Sequence, residues 1–450
     1  MSQATASTRA ERRRLDRDIV ALALPALGAL VAEPAFLLVD TALVGHLGAA
    51  QLAGVGVGGA VLQTAVGLLI FLAYGTTPAV ARLLGAGDRP GAIRAGIDGI
   101  WLAILVGLAL VAAVPLAHPL VALFGAAGDV TDHAATYLGI SILGLPAMLV
   151  VLAATGLLRG LQDTRTPLVV AGAGFTANAI LNAILIYGAG LGVAGSAIGT
   201  VLAQWGMAAF FLAFAVREAR RERVSLRPSL AAVGRVASVG VWLLLRTVSL
   251  RVALIATTVV ATRLGTDVLA ATQVAFALFS TLAFALDALA IAGQAMVGKA
   301  LGAGDAALVR RITGRLVRWG VVGGAALGGL LLAFAWLVGG AFTSDPAVIA
   351  LLPWALVPLA LAQPIAGFVF VLDGVLIGAG DVRYLAWTGI ANLAICLPLL
   401  LVALLPAVPG GAPALAAVWL AFSFGYLGAR ALTLGLRART DAWMVLGARR

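Results

Sequence analysis

The chain has 450 residues, of which 62% are hydrophobic and only 11% are charged. Soluble globular domains carry about 25% charged residues, so this composition excludes a soluble protein and predicts one embedded in a membrane. The formal net charge of +11 would suit a nucleic-acid partner, but the distribution of the basic residues argues against one, as described below.

Apolar segments of about 20 residues recur along the chain, each long enough to cross a bilayer as an α-helix. We predict an all-α polytopic membrane protein with twelve transmembrane helices. They lie near residues 19–45, 52–80, 94–116, 134–157, 168–188, 194–216, 237–261, 268–297, 316–338, 348–376, 385–405 and 413–435. The first resembles a signal peptide, but it is too long and eleven more follow, so we expect it to be retained.

The basic residues fall almost entirely on one side of the membrane if twelve helices alternate in direction. They include the group Arg9–Arg17 before the first helix and the connection Arg217–Arg235, whereas the opposite side carries only Arg263. By the positive-inside rule, this asymmetry predicts that both termini are cytoplasmic. A missed or added helix would move the later charges to the other side, so the pattern supports the count of twelve.

Two pairs of similar segments divide the chain into halves. VARLLGAGD ends at Asp88 and VGKALGAGD at Asp305, a shift of 217, while TGLLRGLQDTR begins at Thr155 and DGVLIGAGDVR at Asp373, a shift of 218. Six helices per half give both halves the same orientation, which predicts two parallel six-helix repeats, or lobes, around a central cavity. The predicted parts are a cytoplasmic N-terminal arm (1–18), an N-lobe (19–216), a cytoplasmic linker (217–236), a C-lobe (237–436) and a cytoplasmic tail (437–450).

Short glycine-rich motifs mark the connections between helices. In each copy of LGAGD the glycines predict a helix end, and the aspartate predicts an N-cap for the next helix. Neither copy is a phosphate-binding loop, because no GxxxxGK[ST] pattern and no preceding strand are present. GLGVAGSAIG, Gly190–Gly199, supplies small residues that allow neighbouring helices to approach closely.

Asp40 is the acidic residue around which we place the functional site. A carboxylate at the centre of a bilayer costs about 2.5–3.5 kcal/mol on insertion scales, so it marks a functional position. Asn178 and Asn182 are four residues apart in the fifth helix and share a face, and Thr200 lies in the sixth. Together they could line an oxygen-rich pocket for a cation such as Na⁺. Alternatively Asp40 carries a proton, because burial disfavours its charged form, or the amides simply join helices by hydrogen bonds.

Two other acidic residues of the N-lobe receive structural interpretations. Glu33 precedes Pro34 in the middle of the first helix, where the proline removes a backbone hydrogen bond and favours a bend. Asp98 lies one turn after Arg94, and we expect these two residues to form an interfacial ion pair.

The C-lobe contains several polar residues that could face a substrate cavity. Asp287 lies deep in the eighth helix, where Arg246 and Arg251 of the seventh are natural partners. Asp373 is expected either to cap a helix or to pair with Arg383. The candidates for a substrate cavity are Asp287, Arg246, Gln273 and Asp373.

No pattern predicts an enzyme or a resident cofactor. The histidines His46, His118 and His133 lack the spacing of metal ligands, and the single cysteine, Cys396, can form no internal disulfide. No serine occupies a nucleophile elbow. The expected partners are a small-molecule substrate and the lipid bilayer, with no nucleic acid and no obligate protein partner.

The motifs above resemble those of the multidrug and toxin extrusion (MATE) family, and its DinF-like branch in particular. The resemblance covers nearly the whole chain. Its segments are VDTALVGHLG (39–48), LLGAGD (83–88), GLLRGLQDTRTP (156–167), GLGVAGSAIGT (190–200), LLLRTVSL (243–250) and DGVLIGAGD (373–381). It implies twelve helices in two lobes and export of amphipathic organic cations driven by inward flow of sodium ions or protons. It also implies a location in the bacterial cytoplasmic membrane.

The resemblance also implies roles for individual residues. Archaeal relatives of this branch bind a cation in the N-lobe with an Asp in the first helix, an Asn and an Asp in the fifth and a Thr in the sixth. Asp40, Asn178 and Thr200 match this set, whereas Asn182 replaces the second Asp. Asp40 is then the one acidic residue of the set, which leaves both proton and sodium coupling open. Another branch has an acid in its seventh helix, where this chain has Arg246.

Three hypotheses about function follow. The favoured one is a secondary antiporter that exports amphipathic, cationic compounds in exchange for H⁺ or Na⁺ bound at Asp40. The second is a flippase or exporter of lipid-linked or anionic substrates, for which Arg246 and Arg251 could begin a cationic cavity. A membrane-embedded transferase lacks an acid cluster, a metal set and a nucleophile.

Overall fold

The computed structural model describes residues 2–123 and 128–448, and over these residues it consists of helices and connections without a strand. The α-helices are α1 (Ser2–Gly45), α2 (Ala49–Leu69), α3 (Phe71–Gly85), α4 (Arg89–Val111), α5 (Ala117–Ala122), α6 (Asp129–Ser141), α7 (Leu145–Gly160), α8 (Arg165–Ala183), α9 (Gly192–Arg221), α10 (Leu230–Leu264), α11 (Thr266–Gly302), α12 (Ala306–Phe342), α13 (Pro346–Leu361), α14 (Gln363–Gly378), α15 (Val382–Val402), α16 (Ala412–Leu420) and α17 (Leu427–Ala438). Short 3₁₀ segments span Val114–Leu116 and Ile142–Gly144, and π-helical segments span Ile184–Gly188 and Ala421–Tyr426.

The helices account for the predicted number of membrane spans. Eleven segments of the described chain are long and apolar enough to cross a bilayer. The pair α13 and α14 is bent by 49° at a short break, and it makes a twelfth span if the two helices cross together. The predicted all-α polytopic fold is confirmed.

Several helices are longer than the hydropathy of the sequence suggests. The first begins at Ser2, so the described part of the predicted N-terminal arm continues the transmembrane helix. No proline occurs before Pro25, and Ala, Glu and Arg in this stretch favour helix. Likewise, the predicted linker 217–236 is mostly helical, and only residues 222–229 separate α9 from α10.

The chain divides into two compact units whose boundaries lie inside helices. The N-terminal unit contains residues 24–241, and the C-terminal unit contains residues 2–23 together with 242–448. The boundaries fall within α1 and α10, at positions separated by the 218-residue shift of the sequence repeat. Residues 2–23 therefore pack with the C-terminal unit, although they precede the first helix of the other unit in sequence.

Equivalent glycines allow equivalent helices to pack closely in the two units. In the N-terminal unit α7 lies against α3 and α4, and in the C-terminal unit α14 lies against α11 and α12. The glycines at the contacts with α3 and α11 are Gly156 and Gly160 in α7 and Gly374 and Gly378 in α14. A Cβ at any of these four positions would meet atoms of the facing helix. The small residues therefore set the distance between the helices.

The two LGAGD motifs form the same turn. Gly87 and Gly304 have positive φ angles of 80° and 75°, a conformation that glycine adopts without strain. The side chains of Asp88 and Asp305 each accept a hydrogen bond of 2.8 Å from the backbone N–H three residues later. The predicted helix ends and N-caps are confirmed.

The second pair of repeated motifs also shares its backbone shape, but not its residues. Gly380 has a φ angle of 72°, and Gln162 occupies the equivalent position with a φ angle of 69°. A left-handed conformation costs a residue with a Cβ about 1–2 kcal/mol. The turn at Gln162 therefore adopts the left-handed conformation even though glutamine disfavours it.

Candidate functional site

Asp40 of α1 is buried and hydrogen-bonded to side chains from two other helices. Only 5% of the Asp40 surface is exposed to solvent. The Oδ1 atom accepts a hydrogen bond of 2.6 Å from Asn182 Nδ2 of α8 and one of 3.0 Å from Ser196 Oγ of α9. Three helices of the N-terminal unit therefore meet at this carboxylate.

The hydrogen bonds continue from Asp40 to the other predicted residues. Asn182 Nδ2 also donates to Asn178 Oδ1 at 3.0 Å, and Asn178 Nδ2 donates to Thr200 Oγ1 at 3.0 Å. The structure thus brings together all four residues that the sequence predicted as an ion site. Their role in binding an ion stays a prediction.

The local sequence explains why α8 and α9 approach so closely here. Gly199 of α9 faces α8, where a Cβ on it would clash with the Asn182 side chain, and Gly195 faces the backbone of Leu185 just after α8. These glycines belong to the motif in which small residues predicted close helix packing, and that prediction is confirmed. Directly after Asn182, at Ile184–Gly188, α8 continues as a π-helical turn, a distortion that often accompanies functional sites.

One acceptor within this group has no protein partner. Asn182 Oδ1 is buried and accepts no hydrogen bond from the described residues. Buried carbonyl oxygens are seldom left in this state, so a proton donor or a cation would be favourable beside it. One carboxylate, two amide oxygens and two hydroxyls form the all-oxygen set that a hard cation prefers. Among the described residues no group of three or more His, Cys, Asp or Glu could hold a metal ion.

Ser196 was missed by the sequence reasoning. It lies four residues before Thr200 and hence on the same face of α9, so a signal for it was available in the sequence. Its residue is fully buried. Ser196 supplies a hydrogen-bond donor to the same carboxylate oxygen as Asn182.

The predicted bend in the first helix is not a break in the structure. α1 is helical through both Pro25 and Pro34, up to Gly45. The Glu33 side chain is exposed rather than packed inside the N-terminal unit. A bend at Pro34 during function stays a prediction.

In the C-terminal unit, Asp373 of α14 lies between two arginines. Its Oδ1 accepts hydrogen bonds from Arg246 Nε at 3.0 Å and from Arg430 Nη2 at 2.8 Å, and its Oδ2 pairs with Arg246 Nη2. Asp373 and Arg430 are 5% and 7% exposed. Both expectations for Asp373 are wrong: it lies inside α14 rather than at a helix end, and its oxygens pair with Arg246 and Arg430, while the Arg383 guanidinium lies over the Trp242 ring.

This ionic cluster borders a small cavity and a group of aromatic rings. The cavity has a volume of about 10 Å³, room for about one water molecule. Its lining includes Arg246, Asp373, Asn392, Tyr426 and Arg430. The Tyr426 ring stacks on Phe422 at 6.0 Å, and the Arg430 guanidinium lies 5.9 Å from the Tyr426 ring centre.

The remaining predicted residues are Asp287 and Gln273 of the C-lobe and the pair Arg94 and Asp98 of the N-lobe. Asp287 of α11 is partly buried, and Gln273 of the same helix is exposed. Arg246 forms an ion pair with Asp373, and the expected pairing of Asp287 with Arg246 or Arg251 stays a prediction. The predicted pair between Arg94 and Asp98 is confirmed at 3.0 Å.

Comparison with known proteins adds information about both units. A sequence model described as MatE matches residues 25–184 and again residues 243–402. The two matches start 218 residues apart, which is the shift of the repeat. Protein DETOXIFICATION 43 of Arabidopsis thaliana is 31% identical over 444 residues, with 84% of each chain covered.

A bacterial relative and a solved structure agree with these matches. DNA damage-inducible protein F of Escherichia coli (strain K12) is 31% identical over 297 residues, or 64% of each chain. A crystal structure described as MATE in the bent conformation superposes with a TM-score of 0.87 at 23% identity. It covers 95% of this chain and 96% of that one, which shows the same fold.

Proposed function

The chain belongs to the MatE family of multidrug and toxin efflux transporters, and we propose that it is a secondary active antiporter. It exports amphipathic organic compounds, typically cations, in exchange for H⁺ or Na⁺. The coupling ion binds at Asp40 in the N-terminal unit. The resemblance inferred from the sequence motifs is confirmed at the level of the family, and the ion and substrate are part of the proposal.

The observation that carries the proposal is the buried chain of hydrogen bonds from Asp40 to Thr200. A carboxylate inside a membrane protein is costly and marks ion or proton pathways. Asp40 is satisfied by two donors in the ionised form, while Asn182 Oδ1 nearby has no donor among the described residues. A site of this kind can exist with and without its ion, which an antiporter needs.

Binding of the coupling ion changes the charge at the meeting point of three helices. Na⁺ bound to the carboxylate and the amide oxygens, or a proton on Asp40, neutralises a buried negative charge. A proton on Asp40 weakens the hydrogen bonds from Asn182 and Ser196, because donors bind a charged acceptor about twice as strongly as a neutral one, and so loosens α1 from α8 and α9. Na⁺ would instead join the carboxylate to the amide oxygens of α8. In either case the contacts of α1 change, and Pro34 provides a place where the helix bends.

The proposed location is the bacterial cytoplasmic membrane with both termini in the cytoplasm. The basic residues flanking the predicted spans support this orientation through the positive-inside rule. The family acts as single-chain transporters of small molecules, so no obligate protein partner is proposed.

The test is dye export into the lumen of inverted vesicles that contain the protein, because their cytoplasmic membrane face points outward. An imposed pH gradient and an imposed sodium gradient are compared for the wild type and for Asp40→Asn. We expect one gradient to drive efflux in the wild type and neither to do so in Asp40→Asn, with unchanged expression. The matched control is Asp132→Asn, whose side chain is 78% exposed. Wild-type efflux by Asp40→Asn would refute the proposal.

A second candidate function is export of anionic or lipid-linked substrates. The observation that favours it is the placement of two guanidinium groups, Arg246 and Arg430, around the single carboxylate of Asp373. Efflux of an anionic dye that is lost in Arg430→Gln, without efflux of a cationic dye in the wild type, would support it. Efflux of the cationic dye alone would reject it.

A further inference from the structure

We propose that residues 2–23 of α1 act as a strap that transmits ion binding at Asp40 to the C-terminal unit. The inference rests on the proposed role of Asp40 as the ion-binding residue. It concerns a different part of α1, which packs with the C-terminal unit. The strap is defined here as residues 2–23, of which the side chains of 10–23 are described.

The strap is bound to α12 by polar contacts. Both carboxylate oxygens of Asp16 pair with Arg315, at 2.6 Å from Nε and 2.6 Å from Nη2. The indole Nε1 of Trp319 donates a further hydrogen bond of 2.9 Å to Asp16. One turn earlier along α12, Arg311 pairs with Glu11 at 3.1 Å. A bidentate arginine–carboxylate pair with a third donor fixes the position of a helix more strictly than a single surface ion pair.

Apolar packing accompanies these polar contacts. The strap side chains Leu15, Ile19 and Leu22 are 9%, 0% and 7% exposed. Their spacing of four and three residues places them on one face of the helix. The strap therefore has a buried apolar face beside its ionic contacts.

The strap and the ion site are joined by one continuous helix. α1 runs from Ser2 to Gly45, and at 1.5 Å per residue Asp16 and Asp40 are about 36 Å apart along it. Its residues change from one unit to the other between Ala23 and Leu24. The next residue is Pro25, which has no backbone N–H to donate to the preceding turn. The boundary between the units thus lies at a weakened point of the helix.

The second repeat contains a reciprocal arrangement. Residues 217–241, which lead into the rest of α10, pack with the N-terminal unit. Arg94 of α4 donates hydrogen bonds of 2.7 Å to the carbonyl oxygens of both Ser225 and Arg227 in this segment. Arg94 and Arg311 are equivalent positions at the repeat shift of 217. Each unit therefore uses the same position to bind the segment that leads into the first helix of the other.

The two segments differ in one respect that determines their roles. The segment before α10 includes the irregular residues 222–229, whereas α1 is helical all the way from the strap to Asp40. A continuous helix carries a displacement from one end to the other even where a proline weakens it, and an irregular segment absorbs the displacement. The strap is thus the element of this pair that can carry a movement of Asp40 to the C-terminal unit.

The experiment compares Asp16→Asn, the conservative Asp16→Glu and the control Arg310→Gln in the full-length protein. Arg310 lies on the same helix as Arg315 and forms an ion pair with Asp441. The side chains of both Arg310 and Asp441 are largely exposed. Three properties are measured: hydrogen–deuterium exchange of residues 10–23, binding of the coupling ion to purified protein, and dye efflux from proteoliposomes.

We expect Asp16→Asn to speed exchange in residues 10–23 by about tenfold, because a neutral amide cannot accept both charge-assisted hydrogen bonds from Arg315. Ion binding should stay at the wild-type level while efflux falls about tenfold, and Asp16→Glu should retain most of the efflux. Arg310→Gln should match the wild type throughout. Faster exchange with wild-type efflux in Asp16→Asn would overturn the strap. A failure of the proposed function itself is distinguishable, because Asp40→Asn would then bind the ion and export the dye normally.

Discussion

Replacing Arg430 with methionine tests whether the ionic cluster of the C-terminal unit stabilises that unit. The change keeps an unbranched apolar side chain of similar length, but it removes the 2.8 Å hydrogen bond to Asp373 Oδ1 and the contact with the Tyr426 ring. Asp373 remains buried with Arg246 as its partner. The variant therefore leaves a buried carboxylate with half of its positive partners.

The magnitude follows from the burial of both groups. Two opposite charges about 4 Å apart attract by about 4 kcal/mol at an effective dielectric constant of 20. Removing one partner of a buried pair destabilises a protein by about 3–5 kcal/mol. Because Asp373 keeps Arg246, we expect the lower end, about 3 kcal/mol. At about 2–4 °C per kcal/mol for a unit of this size, the unfolding midpoint should fall by about 6–12 °C.

The assay uses the single cysteine of the chain. Cys396 is 0% exposed and lies in the C-terminal unit, so a thiol-reactive fluorescent dye reports when that unit unfolds on heating. Arg310→Gln is the control, because both side chains of its pair with Asp441 are more than half exposed and such pairs contribute about 0–1 kcal/mol. An Arg430→Met midpoint equal to that of the control would refute the reasoning. The double variant with Asp373→Asn should lose less than the sum of the single changes.

Three further predictions concern the ion site, a helix cap and a helix contact. Ser196→Ala removes one donor to Asp40 and should lower gradient-driven efflux by about tenfold, since hydrogen bonds to charged groups contribute about 1.5–3 kcal/mol. Ser196→Thr should retain efflux. Equal rates in the wild type and both variants would argue against a role for the hydroxyl. Asp305→Ala removes the N-cap of α12 and should lower the stability read from the thiol assay by about 1 kcal/mol, whereas Asp305→Ser should not. Gly367→Val places side-chain atoms against the backbone of Gly320. Overpacking of this kind costs about 1–3 kcal/mol of stability, so the same unfolding midpoint should fall by several degrees. An unchanged midpoint would show that α12 and α14 can move apart without loss of stability.

The N-terminal site could be predicted from the sequence because its residues obey helical spacing. Asn178 and Asn182 share a helix face, and Thr200 follows the glycine motif that brings α9 against α8. The structure places all of them in one chain of hydrogen bonds with Asp40. Ser196 could not be singled out in the same way although it lies one turn from Thr200. A single serine in an apolar helix does not indicate an ion site unless its hydrogen-bond partner is known.

The C-terminal cluster could be predicted only in part, because its partners come from distant helices. Asp373 and Arg246 were both singled out, but not as partners of each other, since they are 127 residues apart in sequence. Arg430 was not considered, although it contributes a buried hydrogen bond to Asp373 from a position 57 residues later. Spacing along a chain specifies the face of one helix and says little about which helices pack together.

The division of the chain also differs from what hydropathy suggests. Apolar segments define the spans, so charges before the first span were interpreted as a separate arm. In the structure α1 includes this charged segment, and the segment packs with the C-terminal unit, because Asp16 and Glu11 form ion pairs with arginines of α12. Such a choice between two units depends on contacts that no local pattern encodes.

The paired turns at Gln162 and Gly380 bear on how the two halves diverged after a common origin. One copy has glycine at the left-handed position and the other a residue that adopts it at a cost of about 1–2 kcal/mol. Native proteins have total stabilities of only about 5–15 kcal/mol, so a loss of this size can be tolerated once but not at many positions. A duplicated fold can therefore exchange residues at its turns one at a time, while the path of the backbone changes more slowly than the sequence that first produced it.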